Sequence, residues 1–425
     1  MVATSGLFRA SRLQLYGYTV AAIYVLFLVS VYRAGTWILD TKGAPIYTDF
    51  ACAWAAALQA IHGQVALLYD PAKFVEMQAA VIGPGEYFYP NWPYPPTFFL
   101  IFAPFAVLHY SQAFLAWDVL TLLAGLVVVC SIAQHPAVIA VFLASPFTFW
   151  NFLAAHNGFL TVSLLGGSLL FLERRPLLAG VFIGCLTCKP QFGVLVPVAL
   201  LAAREWRTIV SAAITAALLS GAAVAAFGAG AWTGLPRGFV AQARLNFPAD
   251  PASNWGYLQT TYGLIRLLHG SAALAWLGQA VVTSTIAVVV WLVWRSNARY
   301  PLKAATLSAG AVIASPYAFA YDLAAIAIPV AFLARDQISF GLLKGEQTIA
   351  VALFGAALAV LIIFGDRPGG ITFGSMPVGT IVAVTLFGLI CHRILFAGRH
   401  PSVSHQDNPR QTAMAGRAGI PSLAG

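Results

Sequence analysis

Long apolar runs separated by short polar ones set the plan of this chain. The runs cover 13–32, 97–108, 113–132, 137–153, 158–172, 177–188 and 192–203, then 209–227, 274–294, 302–314, 323–334, 348–364 and 378–395. A helix needs about 20 apolar residues to cross a bilayer, and 13–32, 113–132, 209–227 and 274–294 reach or approach that length. Several shorter runs come in neighbouring pairs split by Pro, a pattern that predicts broken or re-entrant helices lining a cavity. The pattern predicts an all-α polytopic membrane bundle of about 11–13 transmembrane or re-entrant helices.

Composition agrees. Of 425 residues, 60% are hydrophobic and 9% charged, against about 25% charged in a soluble domain. The net charge of +9 is not a nucleic-acid footprint, because the cations sit in short clusters between apolar runs and in the tail. Arg9 and Arg12 precede the first run as in a signal peptide. That run is long enough to span, and no small-x-small cleavage site follows, so it is expected to stay as a first membrane helix. The clusters at Arg174-Arg175, Arg204 and Arg207, Arg295, Arg299 and Lys303, Arg335 and Lys344, and from Arg393 onward all fall on the cytoplasmic side under one condition. Run 97–108 must enter and leave on the outer face, making one net crossing with 113–132. Segments 33–96 and 228–273 are then extracytoplasmic, the first carrying helical stretches through Ala60 and at 74–81. Residues 1–396 read as one membrane domain, and the polar tail 397–425 as disordered and cytoplasmic. Five scattered Cys suggest no disulfide framework, and Cys185-x-x-Cys188 lies in an apolar run, where Cys is a small packing residue.

Few acids occur in such a chain, which makes Asp49, in Tyr47-Thr48-Asp49-Phe50, a functional candidate as well as a helix cap. The stretch 87–96, with Trp92, Tyr94 and several Pro, suits either an interfacial aromatic belt or a substrate-lining loop. His156-Asn157-Gly158 separates two runs, and Lys189-Pro190-Gln191 forms the tip of a V between two short ones, where a buried cation calls for an anionic partner. Tyr317, Tyr321 and Asp322 stand at a similar Pro-broken turn, with Asp322 equally readable as a cap. Asp118 lies inside a run and reads as a packing contact; Arg237 and Arg244 read as solvated, with a phosphate role open. A carboxylate base beside a cationic cradle suits transfer of a group from a phosphate leaving group to a hydroxyl.

In order and spacing these pieces resemble glycosyltransferase family 87. The likeness runs from about Tyr47 to Ala334 through Tyr47-Thr48-Asp49-Phe50, Tyr94-Pro95-Pro96-Thr97, Ala103-Pro104-Phe105, Asn151 with His156-Asn157-Gly158, Pro176–Gly180 leading to Lys189-Pro190, and Ser315-Pro316-Tyr317 with Tyr321-Asp322. The family usually shows Gly-Gln-Asn where this chain has Ala155-His156-Asn157. The resemblance implies a GT-C bundle in the plasma membrane whose first outer loop carries the catalytic Asp, here Asp49. It implies an inverting transfer of a hexose, mannose above all, from a polyprenyl-phosphate donor to a lipid or glycan hydroxyl, with no cofactor and no obligatory metal. Lys189, His156 and Arg244 would then hold the donor phosphate. Tyr47, Trp92, Tyr94, Asn157, Gln191, Tyr317, Tyr321 and Asp322 would line the substrates. Two other readings compete: a transporter or lipid flippase built on the broken helices around Lys189, for which an internal repeat is missing, and a scaffold protein with degenerate catalytic residues.

Overall fold

The computed structural model describes residues 10–83, 92–248, 255–364 and 377–397. The part of the aromatic stretch at 87–91 and the tail beyond 397 lie outside the described residues. In chain order the helices are α1 (Ala10–Arg33), α2 (Asp49–Ile61), α3 (Pro71–Ile82), α4 (Thr97–Phe102), α5 (Tyr110–Ala133), α6 (Ala137–Ala144), α7 (Pro146–Ala154), α8 (Gly158–Phe171) and α9 (Pro176–Cys185). They continue with α10 (Val196–Ala203), α11 (Trp206–Phe227), α12 (Gly230–Asn246), α13 (Thr261–Leu267), α14 (Ala272–Arg295), α15 (Tyr300–Ala314), α16 (Ala327–Phe340), α17 (Glu346–Phe364) and α18 (Val378–Ala397). Beside them the described residues hold a two-residue antiparallel ladder, β1 (Thr36–Trp37) with β2 (Leu39–Asp40). The all-α polytopic bundle is what the structure shows. Among the described residues six helices are long and apolar enough to cross a membrane, or seven if α6 and α7, bent by 60°, make one span.

Proline decides where the apolar runs break. Run 137–153 reads as continuous, yet the structure splits it at Ser145, because Pro146 has no N–H to give the preceding turn and its ring crowds that turn's carbonyl. Pro104 likewise turns α4 into the 3₁₀ segment Ala103–Val107, and Pro190 separates the 3₁₀ turns Leu186–Cys188 and Pro190–Gly193 at the tip between α9 and α10. Where helices approach closely, small residues permit it. A Cβ on Gly180 or Gly184 of α9 would sit 2.5 Å from the Cβ of Ser211 or Thr215 on α11. Without a hydrophobic drive between helices in lipid, such contact is a main source of association. α8 and α15 are buried nearly throughout, whereas α11 leaves Val210, Ile214 and Leu218 more than half exposed, the expected lipid face.

The two ends of the bundle differ in chemistry. At one end the turns α8–α9, α10–α11 and α14–α15 meet, bringing Glu173, Arg204, Glu205, Arg295 and Lys303 around a single cleft. Beside it lies a buried ionic network. Asp336 accepts from Arg299 at 2.6 and 2.8 Å and from Arg393 at 2.6 Å, while Arg393 reaches Glu346 at 2.8 Å. At the other end α2 packs on the start of α5, where Tyr110 donates to the Ile46 carbonyl at 3.2 Å and its ring meets Trp54. Segment 97–107 is a shorter apolar helix, and α5, which follows it, is long and apolar enough to cross a membrane.

Candidate functional site

At this second end, seven separate stretches of chain close around a cavity of about 80 Å³. They are the start of α2, the strip from Trp92 into α4, Trp117 of α5, the α7–α8 turn, the Lys189 tip, the last turns of α12 and the turn before α16. Asp49 is the first residue of α2, with Thr48 as cap, its hydroxyl accepting from the Ala51 N–H at 3.4 Å. The capping alternative therefore belongs to Thr48, which frees the Asp49 carboxylate to face the cavity. Asp49 is half-buried, and no described residue hydrogen-bonds its carboxylate. Burial, then the neighbouring Asp322, push its pKa up to about 7, against the opposing pull of Lys189.

Lys189 is the one cation lining the cavity among the described residues. Its ammonium donates to Asp322 and to the Asn157 side-chain oxygen, and lies 5.1 Å from the centre of the Phe192 ring. The other Asp322 oxygen accepts from the Phe319 N–H at 3.0 Å. The anionic partner that a buried lysine demands is therefore supplied from within the chain, between two Pro-broken turns that lie 133 residues apart. Asp322 is not free to act as an isolated carboxylate.

The α7–α8 turn brings in His156 and Asn157. Ala155 ends α7 in the left-handed region, with φ 45° and ψ 45°, a conformation that favours glycine. Asn151 then accepts from the Gly158 N–H at 2.8 Å, and Gly158 packs against both Asn151 and the Tyr321 carbonyl, leaving no space for a Cβ. His156 stacks on Tyr321, with ring centres 3.7 Å apart, and its Nε2 is 3.1 Å from the Tyr94 hydroxyl. Burial, with Lys189 second, holds its pKa well below the ordinary histidine range, so its ring is neutral.

Of the residues singled out from sequence, Asp49, Lys189, His156, Trp92, Tyr94, Asn157, Gln191, Tyr317, Tyr321 and Asp322 all line the cavity. Two lie elsewhere. Arg244 is exposed on α12, while Gln242 and Asn246 of the same helix are buried and line the wall. A helix turns by about 200° over two residues, so Gln242 and Arg244 face opposite ways. Tyr47 points to Gln78, donating to its side-chain oxygen at 3.0 Å. Sequence reasoning missed Phe98, Phe102, Trp117 and Phe239 in the aromatic wall, and Gln242 and Asn246. The buried stripe Ala231, Leu235, Gly238, Gln242, Asn246 at helical spacing was the available signal for the last two. Asp118, next to Trp117, is fully buried outside the cavity, and neither carboxylate oxygen has a hydrogen bond from a described residue, so the residue is packed but the polar contact expected of it is not found.

The structure defines a polytopic helical bundle in which a buried carboxylate–ammonium pair, a second carboxylate and aromatic walls share one cavity. The family model for glycosyltransferase family 87 matches residues 92–316, more than half of the chain, and the chain belongs to that family. Asp49 and Asp322 lie outside the matched stretch, and geometry alone joins them to it. Neither the curated proteins nor the solved structures include a match.

Proposed function

We propose that this membrane glycosyltransferase moves a hexose, mannose above all, from a polyprenyl-phosphate donor to a lipid or glycan hydroxyl, with Asp49 as general base. The observation carrying this reading is that Asp49 shares one aromatic-walled cavity with a lysine already neutralised by an internal carboxylate. The acceptor hydroxyl gives its proton to Asp49 as its oxygen bonds to the anomeric carbon. The bond from that carbon to the phosphate oxygen breaks, and the polyprenyl phosphate departs with the electron pair. One displacement from the opposite face inverts the centre. A proton acceptor of pKa about 7 suits this step near neutral pH.

The charge balance favours a carrier with one phosphate. Lys189 and Asp322 cancel, so a pyrophosphate donor would bring its extra charge against Asp49 with no further cation among the described lining residues. The phosphate is expected to share Lys189 with Asn157 as charge builds on the leaving oxygen. The free space is below the ~300 Å³ at which small-molecule sites begin, so donor entry is coupled to movement of a cavity wall. The cation clusters at the far end support, by the charge rule, a cavity facing the extracytoplasmic side of the plasma membrane. The test is reconstitution in liposomes with radiolabelled polyprenyl-phosphate mannose and a lipid-extract acceptor. Label on a new acceptor supports the transferase. Label that crosses the bilayer still attached to its polyprenyl phosphate identifies a flippase and overturns the proposal.

A further inference from the structure

Resting on that transferase reading, we infer that His156 reads a hydroxyl of the transferred sugar and so sets donor specificity, rather than binding the donor phosphate. A phosphate site draws on charge, and this ring is neutral in its buried seat beside Lys189. A neutral imidazole has one donor and one acceptor nitrogen. Nε2 is taken by the Tyr94 hydroxyl at 3.1 Å, while Nδ1 is buried with no hydrogen bond from a described residue. Whichever tautomer Tyr94 selects, Nδ1 is left with the complementary role. A sugar hydroxyl both donates and accepts, so it satisfies either form, whereas a phosphodiester only accepts.

The ring is also unusually well held for a reading role. Stacking on Tyr321 fixes its plane, and the His156 N–H bonds the Asn151 carbonyl at 3.2 Å. Tyr94 is anchored in turn, its carbonyl accepting from the Tyr69 hydroxyl at 2.8 Å and its ring stacked 4.8 Å from Phe98. A rigid group that pairs with one hydroxyl discriminates strongly against a sugar lacking it, because the unpaired nitrogen stays buried.

The experiment measures kcat/KM for the reconstituted wild type, His156→Phe and His156→Gln with polyprenyl-phosphate mannose and its 2-, 3-, 4- and 6-deoxy analogues. The expected result is a loss of roughly tenfold or more for the wild type on one analogue. His156→Phe loses a similar factor on the parent donor and nothing further on that analogue, and His156→Gln recovers part of it. Equal losses by His156→Phe on every donor, or full activity in that variant, overturn the inference and leave the transferase reading standing. An absence of transfer by the wild type from every donor overturns both.

Discussion

Replacing Asp49 by Asn separates catalysis from stability in opposite directions. The carboxylate sits at the first turn of α2 in a half-buried position with a pKa of about 7, against an ordinary value of 3.8. The folded chain therefore binds this proton more tightly than the unfolded chain does. The stability it contributes is complete below about pH 4 and is lost as pH rises through 7, after which the charged form is a fixed burden on the fold. In full, that difference corresponds to about 4 kcal/mol. Partial access to water and the α2 N-terminus reduce the working figure to about 2 kcal/mol. Asn has the same shape and no charge. Asp49→Asn is therefore expected to unfold a few degrees higher than wild type at pH 8 and at the same temperature at pH 4. Transfer by the variant falls by two to four orders of magnitude, as for loss of a general base. For the wild type, kcat/KM rises about tenfold per pH unit up to about pH 7 and then levels. Thermal melts in detergent at the two pH values and a pH–rate profile in liposomes measure both arms. A variant less stable at pH 8, or a rate already level at pH 5, refutes the environment assigned to Asp49.

Four further outcomes follow from particular contacts. Lys189→Ala strands Asp322 in a buried site and is expected to cost about 3–5 kcal/mol in a melt, whereas Lys189→Met combined with Asp322→Asn regains most of that stability and still binds donor poorly, seen as a raised KM. Arg393→Ala breaks the Asp336–Glu346 network and costs a similar about 3–5 kcal/mol, yet transfer per folded molecule stays unchanged because the network lies at the far end of the bundle. Gly180→Val drives a side chain into Ser211 and lowers stability by roughly 1–3 kcal/mol, visible as a lower melting temperature. Arg244→Ala leaves donor KM within twofold, because its side chain is exposed and outside the cavity.

How far the site was legible depends on the kind of signal each residue carries. Asp49, Lys189 and Asp322 stand out because an ionisable group in an apolar chain is costly and so is seldom there without a partner or a task. That Lys189 would find its counter-charge in Asp322 was not legible, since nothing local links two turns so far apart in the chain. Trp117 and Phe102 were invisible as wall residues because an aromatic in an apolar run looks the same whether it faces lipid, a neighbouring helix or a cavity. Arg244 and Gln242 show the limit within a single helix. Both are polar residues near the end of α12, and helical phase alone puts one outside and the other in the wall.

Hydrophobic length, Pro positions and the Lys–Arg clusters determined by themselves that this chain is a helical membrane bundle with broken helices meeting at one end. Those properties are local, because backbone groups in lipid must be satisfied within each segment. Tertiary structure alone decided that the start of α2, the strip leading into α4 and the loops after α7, α9 and α15 share a cavity with α5 and α12, that Asp322 occupies Lys189, and that Tyr94 takes one nitrogen of His156 and not the other. Such pairings depend on the phase and crossing of helices distant in sequence, and packing in three dimensions is the first level at which phase and crossing are defined.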